Sequence, residues 1–243
     1  MKRRILFSAF LCSMLLPMLT AQEAVYQVEE ITVLNYGDGR FLFREDNESK
    51  KPLEGKHRII DGYRSEYILA EFKDGMYHGG FQRFKYNKMV EEGTYSEGRK
   101  IGVYKIYFSD SKQVKEESPY TEGKLNGIRK TYYVDGSLQS EKGYKMSIED
   151  GIDRKYEWQT GKILRDMFYK DGVLEGKQEQ HIMSNIGNYV KYSNYRNGKL
   201  HGPYSEVYTE GKKKDKIRLK GTYKDGEKTG EWIDNRKKYD WKQ

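Results

Sequence analysis

The chain has 243 residues, a formal net charge of +8, 36% hydrophobic residues and 34% charged ones. That balance is too polar for a thick oily interior and leans toward disorder, against which stand 22 tyrosines and 9 phenylalanines. A single cysteine, Cys12, excludes a disulfide framework.

The first residues read as an export signal. Lys2, Arg3 and Arg4 precede an apolar run over residues 5–19, which ends in Leu19-Thr20-Ala21 before the polar Gln22. A retained membrane helix is the competitor, but spanning comfortably takes roughly 20 apolar residues. The expectation is a signal peptide over residues 1–21, cleaved after Ala21, and a mature chain that is periplasmic, outer-membrane-associated or extracellular. Lipidation at Cys12 does not fit, because the apolar run continues well past it. Cleavage removes Cys12 and with it any thiol for redox or soft-metal chemistry. Residues 1–21 carry three bases and no acid, so cleavage also lowers the net charge from +8 to +5.

Residues 22–50 are expected to form a capping hairpin and connector. The β-rich stretch Val25 to Leu34 is punctuated by Asn35-Tyr36-Gly37-Asp38-Gly39, and Phe41-Leu42-Phe43 resumes the strand pattern. The end units of a repeat array must hide an edge that otherwise pairs with another chain. Glu45 to Lys51 then reads as a polar connector closed by Pro52.

Residues 51–243 repeat. An aromatic residue (Phe72, Tyr95, Tyr120, Tyr144, Tyr169, Tyr195, Tyr223) precedes by three positions a turn residue (Gly75, Gly98, Gly123, Ser147, Gly172, Gly198, Gly226), at intervals of 23 to 28 residues. Four positions after each turn residue comes a second glycine: Gly79, Gly102, Gly127, Gly151, Gly176, Gly202 and Gly230. A fixed period of this size marks a repeat architecture. Leu53-Glu54-Gly55-Lys56 resembles Leu174-Glu175-Gly176-Lys177, so a degenerate first unit brings the count to about eight. Asp-Gly and Asn-Gly pairs supply the positive φ of tight hairpin turns. Helical periodicity is absent, because glycines interrupt every candidate window.

The predicted fold is all-β: an elongated, twisted single-layer sheet of consecutive antiparallel β-hairpins. At about 4.8 Å per strand it is a ribbon on the order of 80 Å long. Rings five residues after the second glycine (Phe84, Tyr107, Tyr132, Tyr156) should face opposite to those two or six after it (Phe81, Tyr104, Phe108, Tyr133, Tyr204, Tyr208, Trp232). Most are expected to pack between repeats, and an exposed stripe to bind.

The units Thr222-Tyr223-Lys224-Asp225-Gly226-Glu227-Lys228-Thr229-Gly230-Glu231-Trp232 and Asn194-Tyr195-Arg196-Asn197-Gly198-Lys199-Leu200-His201-Gly202-Pro203-Tyr204 resemble MORN repeats (membrane occupation and recognition nexus), in the bacterial variant of the YwqK-type antitoxin group. The resemblance runs over roughly residues 51 to 240. It implies a hairpin ribbon without catalytic residues, used for protein contacts, with an antitoxin or immunity role carried only by the group's name. This chain departs from the pattern at Ser147, which replaces a turn glycine, and at Gln178 and His181, which stand where rings are expected. The Gly-x-Gly that closes eukaryotic units is missing, so their lipid binding is not carried over.

Catalytic chemistry finds no foothold in the sequence. His57, His78, His181 and His201 lack the spacing of a zinc site, and His78 and His201 share one repeat slot just before the second glycine. Gly172-Val173-Leu174-Glu175-Gly176-Lys177-Gln178 fails as a phosphate loop: its glycines are four apart and Gln178 stands where Ser or Thr is needed. No enzyme, cofactor or metal is expected. Tyr104, Phe108, Tyr133, Tyr204, Tyr208 and Trp232 are the candidate ring contacts. Lys212, Lys213 and Lys214 are read as an extended hairpin arm, either a solvated loop or a patch for anionic envelope groups. The expected partner is an unidentified protein or envelope component, with membrane contact only at the surface and no nucleic acid. The rival reading is a glycan- or cell-wall-binding repeat module; such modules lean on tryptophan, and here only Trp158, Trp232 and Trp241 exist.

Overall fold

Seven two-residue turns organise the chain, and in every one both residues lie in the left-handed region. Asp74-Gly75, Glu97-Gly98, Glu122-Gly123, Met146-Ser147, Asp171-Gly172, Asn197-Gly198 and Asp225-Gly226 have first-residue φ of 48–52° and second-residue φ of 71–97°. Two consecutive positive φ values match the right-handed twist of the flanking strands, which makes these turns tight hairpin corners. The computed structural model describes residues 24–236; the expected signal peptide, Cys12 and Trp241 lie outside them.

The described strands are β1 (Ala24–Gln27), β2 (Ile31–Asn35), β3 (Phe41–Glu45), β4 (Gly55–Asp61), β5 (Glu66–Lys73), β6 (Met76–Lys85) and β7 (Lys88–Ser96). They continue as β8 (Arg99–Tyr107), β9 (Val114–Thr121), β10 (Lys124–Leu125), β11 (Gly127–Tyr132), β12 (Leu138–Lys145), β13 (Ile148–Tyr156) and β14 (Ile163–Lys170). The last are β15 (Val173–Leu174), β16 (Gly176–Ile182), β17 (Tyr189–Arg196), β18 (Lys199–Leu200), β19 (Gly202–Tyr208), β20 (Ile217–Lys224) and β21 (Glu227–Asp234). From β4 to β21 each strand pairs antiparallel with the next, β10, β15 and β18 being the short first halves of strands that resume after the second glycine. The result is the expected all-β, elongated sheet of consecutive hairpins. The second glycines bend it: Gly79, at φ 92°, sits where the β5–β6 register shifts between Ala70 and Phe72.

The turns are stitched unit to unit. The N–H of each second turn residue donates to a carbonyl of the preceding unit: Gly75 to Leu53, Gly98 to Tyr77, Gly123 to Lys100, Ser147 to Leu125, Gly172 to Glu149, Gly198 to Leu174 and Gly226 to Leu200, at 2.7–3.0 Å. The side chain just before the second glycine adds a clasp on the first turn residue. Glu54 Oε1 accepts from Asp74 N (2.7 Å), Asn126 Oδ1 from Met146 N (3.4 Å), Asp150 Oδ2 from Asp171 N (3.1 Å) and Glu175 Oε2 from Asn197 N (2.7 Å). His78 Nδ1 accepts from Glu97 N at 3.4 Å, and His201 Nδ1 faces Asp225 N at 3.3 Å. The shared slot of the two histidines is therefore a clasp. Ile101 occupies the slot once, and its unit relies on the Gly123 N–H alone.

The N-terminal segment departs from one expectation. Val25 to Leu34 is not a continuous strand, because the Glu30 carboxylate accepts the Gln27 N–H at 2.7 Å and a 3-10 turn forms over Val28–Glu30. The break sends the two halves to different places. β1 adds in parallel to the edge of β4, while β2 and β3 form a separate hairpin that packs on the face of the sheet. Phe43 anchors that hairpin: its N–H donates to Gly75 O at 2.7 Å and its ring lies 5.2 Å from Phe72 and 4.7 Å from Tyr77. A Cβ on Gly75 would sit 2.6 Å from Phe43 O, so glycine is required there.

Beneath this cap lies the core, Ile31, Phe43, Leu53, Ile59, Ala70, Phe72, Phe81 and Tyr104, continued by Tyr77, Tyr95 and Tyr120. In the middle units the same face turns polar. Asp153, buried, pairs with Arg165 at 2.7 Å and Lys142 at 3.7 Å. Gln178, also buried, accepts the Phe168 N–H at 2.7 Å and donates to Phe168 O at 3.1 Å and Glu175 O at 2.7 Å. Its amide satisfies backbone groups at the bulge, which explains why a ring is absent.

Candidate binding surfaces

The two faces of the sheet carry different chemistry. On β8, Tyr104 and Tyr107 point oppositely: the Tyr104 hydroxyl donates to Glu91 Oε2 at 2.6 Å and that of Tyr107 to Glu92 Oε1 at 2.5 Å. The second pattern repeats at the same spacing, with Tyr132 donating to Glu117 and Tyr156 to Glu141, both at 2.8 Å. Burial, and then the glutamate that holds the phenolic proton, push Tyr107 and Tyr132 up to about 12. Tyr67 and Phe84 replace this pair with a stacked one, 4.6 Å apart and 6° from parallel.

The candidate rings divide. Tyr104 is 4% exposed and Tyr208 1% exposed, so both are interior residues and cannot form a contact surface. Tyr104 packs over Gly93, where a Cβ would overlap its ring. Phe108 is half-buried under Lys115. Tyr133 donates to Tyr156 O at 2.8 Å and lies 6.3 Å from Trp158, whose Nε1 donates to Asp135 Oδ2 at 2.8 Å. Tyr204, Tyr223 and Trp232 form a second ring cluster, with centroids 5.0–6.0 Å apart and Lys228 4.2 Å above Trp232. The Tyr204 hydroxyl donates to Glu206, which pairs with Arg218.

The basic run is not an extended arm. Gly211–Lys213 is one 3-10 turn, and the loop folds back through Asp215 N to Tyr208 O at 2.9 Å. Lys213 lies 5.3 Å from the Tyr208 ring and reaches Ile186 O at 3.5 Å, leaving Lys212 and Lys214 exposed on either side. Among the described residues no group of three or more His, Cys, Asp or Glu is placed to hold a metal.

Two features emerge that sequence reasoning missed. The first is an apolar stripe on the face opposite the core. Val103 pairs with Pro119, Ile128 with Gly143 and Ile152 with Phe168. Val103 is 52% exposed, and Ile128 and Phe168 44% each. These residues directly follow the second glycine or oppose the one that does, a position the ring pattern hides.

The second is a cleft of about 590 Å³ where the loop of the β2–β3 hairpin overhangs the stacked turns. Tyr77, Tyr95 and Tyr120 line it together with Phe41, Arg40, Arg99, Lys100 and Lys124, against the acids Asp38 and Glu122. The Lys100 ammonium lies 3.5 Å from the Tyr104 centroid and 5.3 Å from that of Tyr120. Burial among these rings holds it below the usual lysine range, opposed by the more distant Glu91 and Glu116. No part of this site was legible from spacing, because the cap brings residues 38–41 onto turns more than fifty positions later. Compared with the models of protein families and with curated proteins, the chain matches none.

Proposed function

We propose that this is an exported, non-enzymatic repeat protein of MORN type that serves as a contact scaffold for another protein, an envelope component or an exported toxin. The observation that supports it is the apolar stripe of Val103, Pro119, Ile128, Ile152 and Phe168, in which Val103, Ile128 and Phe168 are exposed. Contiguous exposed apolar rows on single domains mark interaction sites. The neighbouring hydroxyls of Tyr107, Tyr132 and Tyr156 are held by glutamates, so the surface is rigid before a partner arrives, which lowers the entropy lost on binding.

The test is affinity capture from the envelope fraction of the source organism, comparing the wild-type chain with an Ile128→Asp, Phe168→Asp double variant. The reading expects a defined partner retained by the first and lost by the second, with unchanged circular dichroism. Equal capture by both proteins removes the stripe as the contact surface, and recovery of the chain in the cytoplasmic fraction removes export.

A further inference from the structure

We propose that the cleft under the cap hairpin binds a saccharide unit bearing a carboxylate, with sugar faces against Tyr77, Tyr95 and Tyr120 and the carboxylate held by Lys100 and Lys124. The site lies on the face opposite the apolar stripe, so it stands independently of the scaffold reading.

Charge gives the sign of the ligand. Four cations and two acids line the cleft, a net of +2. Arg40 and Arg99 share Asp38, at 2.8 and 3.8 Å. Lys100 and Lys124 form no ion pair with any described residue; Lys100 rests on ring faces instead. Two ammonium groups outside any ion pair, beside rings that lower the local dielectric, favour an anionic guest.

Shape and hydrogen bonding narrow its class. A peptide taken up as an added strand needs a free sheet edge with unpaired amides. Here the nearby turn amides are already committed, Gly98 N to Tyr77 O and Gly123 N to Lys100 O, both at 2.9 Å. Sandwiching a nucleobase takes two parallel rings, whereas the Tyr77 and Tyr95 planes meet at 43°. A puckered ring edged with hydroxyls suits such tilted walls. The Tyr77 hydroxyl, which hydrogen-bonds to no described residue, offers both a donor and an acceptor. The cleft volume falls inside the roughly 300–1,000 Å³ range of small-ligand sites.

The experiment is isothermal titration of the full chain with oligogalacturonate, with a neutral gluco-oligosaccharide of equal length, and with glucose 6-phosphate. Oligogalacturonate should bind saturably and at least about tenfold more tightly than either alternative. Lys100→Met, which keeps an unbranched stem over the Tyr104 ring, and Lys124→Ala, at the exposed rim, should each weaken it by about tenfold or more. Phe168→Asp, on the other face, should leave it unchanged. Should Lys100→Met fail to fold, as judged by circular dichroism, Lys124→Ala decides. No saturation by oligogalacturonate, wild-type binding by the folded lysine variants, or a preference for the neutral or phosphorylated sugar would overturn the assignment.

Discussion

Ser147 shows how one residue departs from a repeat without breaking it. It holds the second turn position at φ 71°, where six other units use glycine, and left-handed backbone costs a side-chain-bearing residue about 1–2 kcal/mol. Its hydroxyl offsets part of that by accepting the Leu125 N–H at 3.1 Å. Ser147→Gly should therefore be stabilising by less than about 1 kcal/mol, while Ser147→Ala, keeping the strain and losing the bond, should destabilise by about 1 kcal/mol. Urea denaturation of both variants checks the order. Gly93 sits at the opposite extreme, since a Cβ there overlaps the Tyr104 ring. Gly93→Ala forces that ring from its place over the core, and an overpacked core loses about 1–3 kcal/mol. The turn glycines and the need for positive φ were legible as residues. The ring over Gly93 was not, because the ten residues between it and Tyr104 match no local rule; only the pairing of two bent strands brings them together.

At the scale of the strand pair, the tyrosine–glutamate rungs carry a pH dependence. Burial raises the rung residues Tyr107 and Tyr132, and Tyr95 on the other face, to about 12 from the ordinary phenol value of 10.0. A raised folded value means that the protonated phenol is favoured by folding. The stabilisation is complete below pH 10 and is lost as pH rises through about 12. Absorbance of tyrosinate should thus show a late, steep phase near pH 12 that coincides with loss of the β signal in circular dichroism. A single transition near pH 10 for all tyrosines is the contrary result. Opposite-facing ring sets were readable from strand alternation alone. The clasp on the turns was not: its donor and acceptor belong to different units, and Glu, His, Asn and Asp all fill it, so no single residue type marks the slot. Chemistry is conserved along the array where identity is not.

Across the whole molecule the two ends are aromatic and the middle is charged. Rings run from Phe43 to Tyr120 and again through Tyr204, Tyr223 and Trp232, with Arg129, Asp153 and Gln178 on the intervening strands. Buried charge such as Asp153 loses much of its attraction to desolvation, so the middle gains less from folding than the aromatic units of β5–β8. In a repeat array, where stability is a sum of unit and interface contributions, such a segment opens first. Amide hydrogen exchange should be faster in β11–β16 than in β5–β8, and uniform protection along the sheet would contradict this. The array itself was plain in the sequence, as was the need for a cap. How the cap is divided was not, because Gln27 and Glu30 give no strand-breaking signature until the carboxylate is seen to turn back on the amide.

The stitched turns also decide where this protein tolerates growth. Along their margin all seven connections hold two residues, whereas on the far margin they range from Tyr86-Asn87 to the eight residues between β19 and β20. Variation in repeat length is thus concentrated on one side, since an added residue at a stitched corner would break bonds to the neighbouring unit as well as its own. A short glycine–serine insert after Thr160 should leave the melting temperature nearly unchanged; the same insert between Asp171 and Gly172 should lower it sharply. Tags, labels and natural indels alike belong on the looser border.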